Sequence, residues 1–91
     1  MKKNVLELKN IGNTSALWLQ AIGIKTQQQL ENMGSVEAYL RIQERGIKTS
    51  KVLLYTLEGA LLDVHWNDIP NATKQRLCKE AENKNHIFNE A

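Results

Sequence analysis

Ile11-Gly12-Asn13-Thr14-Ser15-Ala16, followed by Gly23-Ile24-Lys25-Thr26, returns further along as Met33-Gly34-Ser35-Val36-Glu37-Ala38, followed by Gly46-Ile47-Lys48-Thr49. The shared frame is an apolar residue, a glycine, three variable residues and an alanine, then Gly-Ile-Lys-Thr. Gly12 and Gly23 lie eleven residues apart and Gly34 and Gly46 twelve, so one copy carries a single insertion. That spacing fits short helices joined by tight turns. Each copy reads as a turn glycine, a helix packing through a small alanine, and a second turn with a fresh cap.

The punctuation around the repeat is helical. Thr26 with Gln29 three residues on is a capping-box pattern, in which hydroxyl and amide satisfy each other's backbone N–H groups. Ser35 is placed to cap the next helix and Thr49 or Ser50 the fourth. Gly23 and Gly46 suit the left-handed residue that closes a helix, which would fold Ile24 back onto Leu19 and Ile47 onto Ile42.

Between about residues 50 and 64, Leu54, Leu57, Leu61 and Val64 recur at three- and four-residue steps, widened by Leu53 and Ala60, which predicts a central core helix. Gly59 within it marks a close helix crossing. His65-Trp66-Asn67-Asp68-Ile69-Pro70 ends that helix. A fifth runs from about Asn71 to Asn83 with Ala72, Leu77 and Ala81 inward, and residues 1–5 and 84–91 read as frayed ends. Two-residue alternation is missing, so strands find no support. The expected fold is all-α over one domain, residues 1–91: five short helices, a tandem helix-hairpin-helix-like repeat packed on a long central helix.

Composition narrows the function classes. The 42% apolar and 24% charged fractions over 91 residues are those of a folded domain rather than a disordered chain. No run approaches the ~20 apolar residues of a membrane span, and the start lacks the apolar stretch of a signal peptide. With a single cysteine, Cys78, this places the chain in the cytoplasm. Cys78 itself reads as a small hydrophobe on a helix.

Asp63, His65 and Asp68 lack an accompanying nucleophile, and Cys78, His65 and His86 have no metal-ligand spacing. Glu58 reads as an exposed or capping carboxylate, and His65 as a helix C-cap or a neighbour packed on Trp66. No catalytic residue, metal, cofactor, membrane or small-molecule substrate is therefore expected.

Charge is uneven although the net value is only +2. Through residue 51 there are eight Lys/Arg against four Asp/Glu, 8 − 4 = +4; the rest holds four against six, 4 − 6 = −2. An anion-facing surface belongs in the first half. The repeat resembles the helix-hairpin-helix motif, whose turn aims backbone amides at a phosphate with help from the positive end of the following helix. That motif usually shows Gly-apolar-Gly; Asn10-Ile11-Gly12 and Asn32-Met33-Gly34 keep the second glycine.

The candidate nucleic-acid contacts are Lys9, Gly12, Asn13, Thr14, Lys25, Gly34, Ser35, Arg45 and Lys48. Leu17 and Trp18 beside the inward face are candidates for a protein interface, with a regulatory protein or a second copy of the chain, while Trp66 reads as core.

Over roughly Leu6 to Leu77 the chain resembles the C-terminal domain of the TfoX/Sxy competence regulators. The resemblance rests on Leu8-Lys9-Asn10-Ile11-Gly12 with Ser15-Ala16 and Trp18-Leu19, and on Ile22-Gly23-Ile24. Gly34 with Glu37-Ala38-Tyr39, Leu54-Tyr55 with Leu57-Glu58-Gly59-Ala60, and His65-Trp66 continue it. It implies a compact helical fold similar to helix-hairpin-helix proteins and a part in regulating bacterial DNA-uptake genes. Asn13 stands where that family often has proline, and full regulators carry an N-terminal domain ahead of this one, so a stand-alone copy is expected here. Weak, non-specific binding of the DNA backbone is the first expected function, placed ahead by the fold analogy and the charge asymmetry; protein–protein docking or dimerisation without DNA is the alternative.

Overall fold

Leu53, Leu54, Leu57 and Ala60 line one side of a helical path, and water drives such a stripe under other helices. The computed structural model, which describes residues 3–90 with side chains through residue 84, has that arrangement. In order come α1 (Asn13–Ala21), α2 (Gln27–Met33), α3 (Ser35–Glu44), α4 (Lys51–Leu62) and α5 (Asn71–Glu90), with 3-10 turns at Val5–Glu7 and Trp66–Asp68. The described residues contain no strand, only an isolated antiparallel bridge of Asn4 with Thr26. The fold is all-α. No helix among these residues is long and apolar enough to cross a membrane.

α4 touches α2, α3, α5 and the second 3-10 turn, while α3 touches all four other helices, so the core is built around this pair. Leu54 and Leu57 of α4 are fully buried, together with Leu19 of α1, Leu30 of α2 and Ile42 of α3. Each such side chain contributes roughly 1.5–3 kcal/mol by leaving water. Ala16 and Ala38, the repeat's small residues, are buried too.

Local chemistry sets the helix ends. Gly23 (φ +87°) closes α1 with a full Schellman pair: its N–H donates to Gln20 O at 3.0 Å and the Ile24 N–H to Leu19 O at 2.9 Å. At Gly46 (φ +85°) the N–H donates to Gln43 O at 3.0 Å, and Ile47 is half-buried where Ile24 is buried. Thr26 and Gln29 form the capping box on α2, and Ser50 Oγ accepts from the Val52 N–H at 3.3 Å to start α4. Asp63, left-handed at φ +59°, ends α4.

The structure departs from the sequence reading at several places. Ser35 does not cap α3; Gly34 (φ +87°) is the N-cap and Ser35 is the first helical residue. Gly59 is not at a helix crossing: a Cβ there would lie 2.6 Å from Asn10 Nδ2 and 2.7 Å from Val64 O, so a loop and the chain's own return press on it. The start is not frayed where it is described. Val5 is fully buried and its N–H donates to Lys25 O at 3.0 Å, while the Gln27 N–H donates to Lys3 O at 2.8 Å; residues 1 and 2 lie outside the described residues.

The helices are not all short, and α4 is not the longest. α5 spans 20 residues to Glu90, because nothing between Asn71 and Glu90 is glycine or proline; Lys84 also ties it to Glu37 of α3 at 3.7 Å. The expected tail therefore continues the helix to Glu90; residue 91 and the His86 side chain lie outside the described set. Leu77 and Ala81 face inward as expected but Ala72 is exposed, since Thr73 and Lys74 occupy the turn below Leu77.

The two kinds of glycine are separable by mutation. Gly23→Ala forces a Cβ into the left-handed region and is expected to cost roughly 1–2 kcal/mol. Gly12, at φ −100° with nothing within 4 Å of its would-be Cβ, meets no backbone strain or clash, and alanine there should cost less, about 0.5 kcal/mol from being a poorer N-cap. Urea denaturation of the two variants checks the contrast, and equal midpoints would refute it.

Candidate nucleic-acid interface

Sequence alone makes the two hairpin turns equivalent; the backbone does not. In the first, the left-handed residue is Asn10 (φ +73°), standing where the motif usually has its first glycine, and Gly12 is an ordinary extended residue. In the second, Asn32 belongs to α2 and the left-handed residue is Gly34, which joins α2 directly to α3. Asparagine tolerates the left-handed region better than most residues, and here its side chain is used. Asn10 Nδ2 donates to Val64 O at 2.9 Å, and Asn10 Oδ1 accepts from the Trp66 N–H at 3.3 Å.

Only the first turn leaves a helix start open. Gly12 caps α1 with no side-chain hydrogen bond, no acid sits in the first helical turn, and Lys9, Gly12, Asn13 and Thr14 are all exposed. Uncompensated amides at the positive end of a helix are chemically suited to an anion. At the second turn the chain supplies its own anion. Ser35 is 4% exposed and its hydroxyl donates to Glu58 Oε1 at 2.7 Å. Glu37 occupies the first turn of α3, paired with Arg41 at 2.7 Å.

The remaining basic residues are spread. Arg45 is the C-cap of α3 and shares a shallow surface cavity with Ala21 and Ile22 at the end of α1. There a cation offsets the negative end of the helix dipole. Ala21 and Ile22 are at the far end of α1 from the Gly12 tip, a helix of 9 residues and so about 13 Å long at roughly 1.5 Å per residue. Lys25 and Lys48 are exposed in the links before α2 and α4. Lys9 with the Gly12 tip thus forms one group, and Arg45 lies at the opposite end of α1.

The Leu17-Trp18 pair is split. Leu17 is 64% exposed, whereas Trp18 packs against the core.

The family model of the TfoX C-terminal domain matches residues 1–81. This chain belongs to the TfoX C-terminal domain family. Protein Sxy of Escherichia coli is 26% identical over 81 residues, 89% of this chain and 39% of Sxy. The chain therefore spans about two fifths of the length of that curated relative. Its fold is similar to two crystal structures from Listeria monocytogenes. An uncharacterized protein in a triclinic form is 38% identical with a TM-score of 0.81, covering 90% of this chain and 93% of the other. A protein of unknown function in a tetragonal form is 39% identical with a TM-score of 0.80, covering 88% and 98%.

A second cluster in this TfoX C-terminal domain has no local sequence signal, because its members come from three elements. Lys74 Nζ of α5 lies 5.4 Å from the ring centre of Tyr55 in α4 and 5.5 Å from that of Trp66, and Trp66 also stacks on His65 with centroids 5.9 Å apart. Trp66 is half-buried rather than core. His65 Nδ1 accepts from the Asn67 N–H at 3.1 Å, so it caps the 3-10 turn rather than α4. Tyr55 Oη is 3.2 Å from Cys78 Sγ. That hydrogen bond, and burial after it, push the Tyr55 phenol above its usual 10.0. No group of three or more His, Cys, Asp or Glu among the described residues is arranged to hold a metal ion.

Two expectations follow from these contacts. Ser35→Ala removes the donor from the Glu58 carboxylate and should destabilise by about 1–3 kcal/mol, whereas Glu58→Gln keeps an acceptor and should cost less; thermal melts of both variants measure this. A phenol whose folded pKa is raised lends stability that is fully present below pH 10 and is lost as pH rises through the folded value. Denaturation of wild type and Tyr55→Phe across about pH 9 to 11 should show a steeper loss in wild type.

Proposed function

We propose that this chain is a non-enzymatic regulatory module of the competence-regulator family that works by docking on a protein. The observation that carries this reading is the Ser35–Glu58 hydrogen bond at 2.7 Å. A phosphate approaching the second turn would have to displace a carboxylate and would meet Glu37 behind it. The two-turn grip on a DNA backbone therefore loses half of its chemistry. Two exposed leucines support the docking side: Leu17 is 64% and Leu6 47% exposed, on α1 and on the 3-10 turn that touches it. Regulation of DNA-uptake genes comes from the family, and a cytoplasmic setting accompanies that role.

Weak DNA contact is kept as the second reading because the α1 tip is uncapped, exposed and free of acids. A four-phosphate grip gives a slope of log affinity against log salt near −3.6, at about −0.9 per contact, while one turn with Lys9 gives roughly −0.9 to −1.8.

Fluorescence anisotropy with a duplex across a salt series separates the cases. The docking reading expects no complex at ~100 μM protein and physiological salt, beyond the usual 10⁻⁴ to 10⁻⁶ M of non-specific binding. It also expects Leu17→Asp to lower expression of the DNA-uptake genes while Lys9→Glu with Lys25→Glu leaves it intact. The reverse pattern, with micromolar duplex binding, would establish the DNA reading instead.

A further inference from the structure

The first half of α5 runs beside α4 and leaves an open groove between them, with Tyr55 and Cys78 on its floor and Lys51, Lys74 and Lys79 along its sides. From Asn71 to Asn83 it is about 18 Å long at 1.5 Å per residue, which accommodates five or six residues of extended peptide at ~3.3 Å each. Lys74 is not a free-swinging surface lysine. Its ammonium is held over two aromatic rings, so less side-chain entropy remains to be lost when an anion arrives. None of Lys51, Lys74 and Lys79 forms an ion pair among the described residues.

We infer that this groove is a docking site for a short acidic segment of a protein partner, an inference that rests on the protein-docking reading above and gives the partner its chemistry. Three unpaired lysines match carboxylates, and the Tyr55 and Cys78 floor matches an intervening apolar side chain. A nucleic acid fits less well. Bases bound without sequence preference stack on aromatic faces, but Lys74 lies over Tyr55, and Trp66 already carries both His65 and Lys74.

The test uses the full chain with two fluorescein-labelled probes at low salt, an octaglutamate peptide and an oligothymidylate of similar charge. The groove should bind the peptide, with affinity falling about tenfold in Lys74→Glu and in Lys79→Glu and unchanged in Lys9→Glu. Lys79 is exposed and, unlike Lys74, does not lie over the Tyr55 or Trp66 ring, so its variant keeps the test valid if Lys74→Glu disturbs the aromatic packing; circular dichroism monitors both. Amide shifts in NMR should concentrate at residues 51, 55, 74, 78 and 79. Absence of peptide binding, or peptide binding indifferent to both groove variants, overturns the inference. If Leu17→Asp still abolishes regulation in that case, protein docking stands and only the groove assignment fails. Preferential, groove-dependent binding of the oligothymidylate overturns both.

Discussion

A side chain at position 59 has no room: an added Cβ would sit 2.6 Å from Asn10 Nδ2, 2.7 Å from Val64 O and 3.3 Å from Trp66 Cα. Helix α4 accepts the roughly 1 kcal/mol penalty of an interior glycine so that the first turn can lie directly on it. Asn10 then spans the gap with two hydrogen bonds to residues 54 and 56 positions away. Those bonds offset the cost of holding a non-glycine residue left-handed. The neighbouring position, Glu58, seats the second turn through Ser35. Two adjacent residues of the central helix, one lacking a side chain and one carrying a carboxylate, thus fix where both turns rest and which of them stays open to solvent.

Features decided within a few residues were legible in the sequence. The capping box at Thr26, the left-handed glycines at 23 and 46 and the Leu53, Leu54, Leu57 and Ala60 stripe of α4 all depend on near neighbours and are present, whereas Leu61 is half-buried and Val64 lies past the left-handed Asp63 that ends the helix. Where a distant partner competes, local rules lost. Ser35 has the chemistry of an N-cap, but a carboxylate 23 residues on captures its hydroxyl. Gly59 signals a close approach correctly, yet nothing nearby says that the approaching group is a loop amide. Val5 is held by its hydrogen bond to Lys25, 20 positions away, beside the bridge of Asn4 with Thr26. The matched letters of the repeat conceal different backbones, since Asn10 takes the left-handed conformation in one copy and Gly34 in the other.

The same competition shapes the functional reading. A tandem repeat with basic residues at equivalent turns has the pattern of a two-point phosphate grip, and among the candidate residues Lys9, Gly12, Asn13 and Thr14 are exposed at or just before a helix start without a side-chain cap. Ser35 is withdrawn from solvent and Arg45 serves the opposite helix end. The groove over Tyr55 was invisible because Tyr55, Trp66, Lys74 and Cys78 are brought together only when α5 folds back along α4. Charge in the second half, negative in sum, is locally positive there.

The seating of the turns on α4 is best tested by a double-mutant cycle between positions 10 and 59, followed by urea denaturation. Gly59→Ala should destabilise the chain despite the better helix propensity of alanine, and Asn10→Gly should destabilise it by loss of two hydrogen bonds. Together they should cost less than the sum of the two, because glycine at position 10 removes the nearest atom that the new methyl meets; a coupling of at least about 0.5 kcal/mol is expected for groups in contact. Strict additivity, or a Gly59→Ala variant more stable than wild type, would contradict the account.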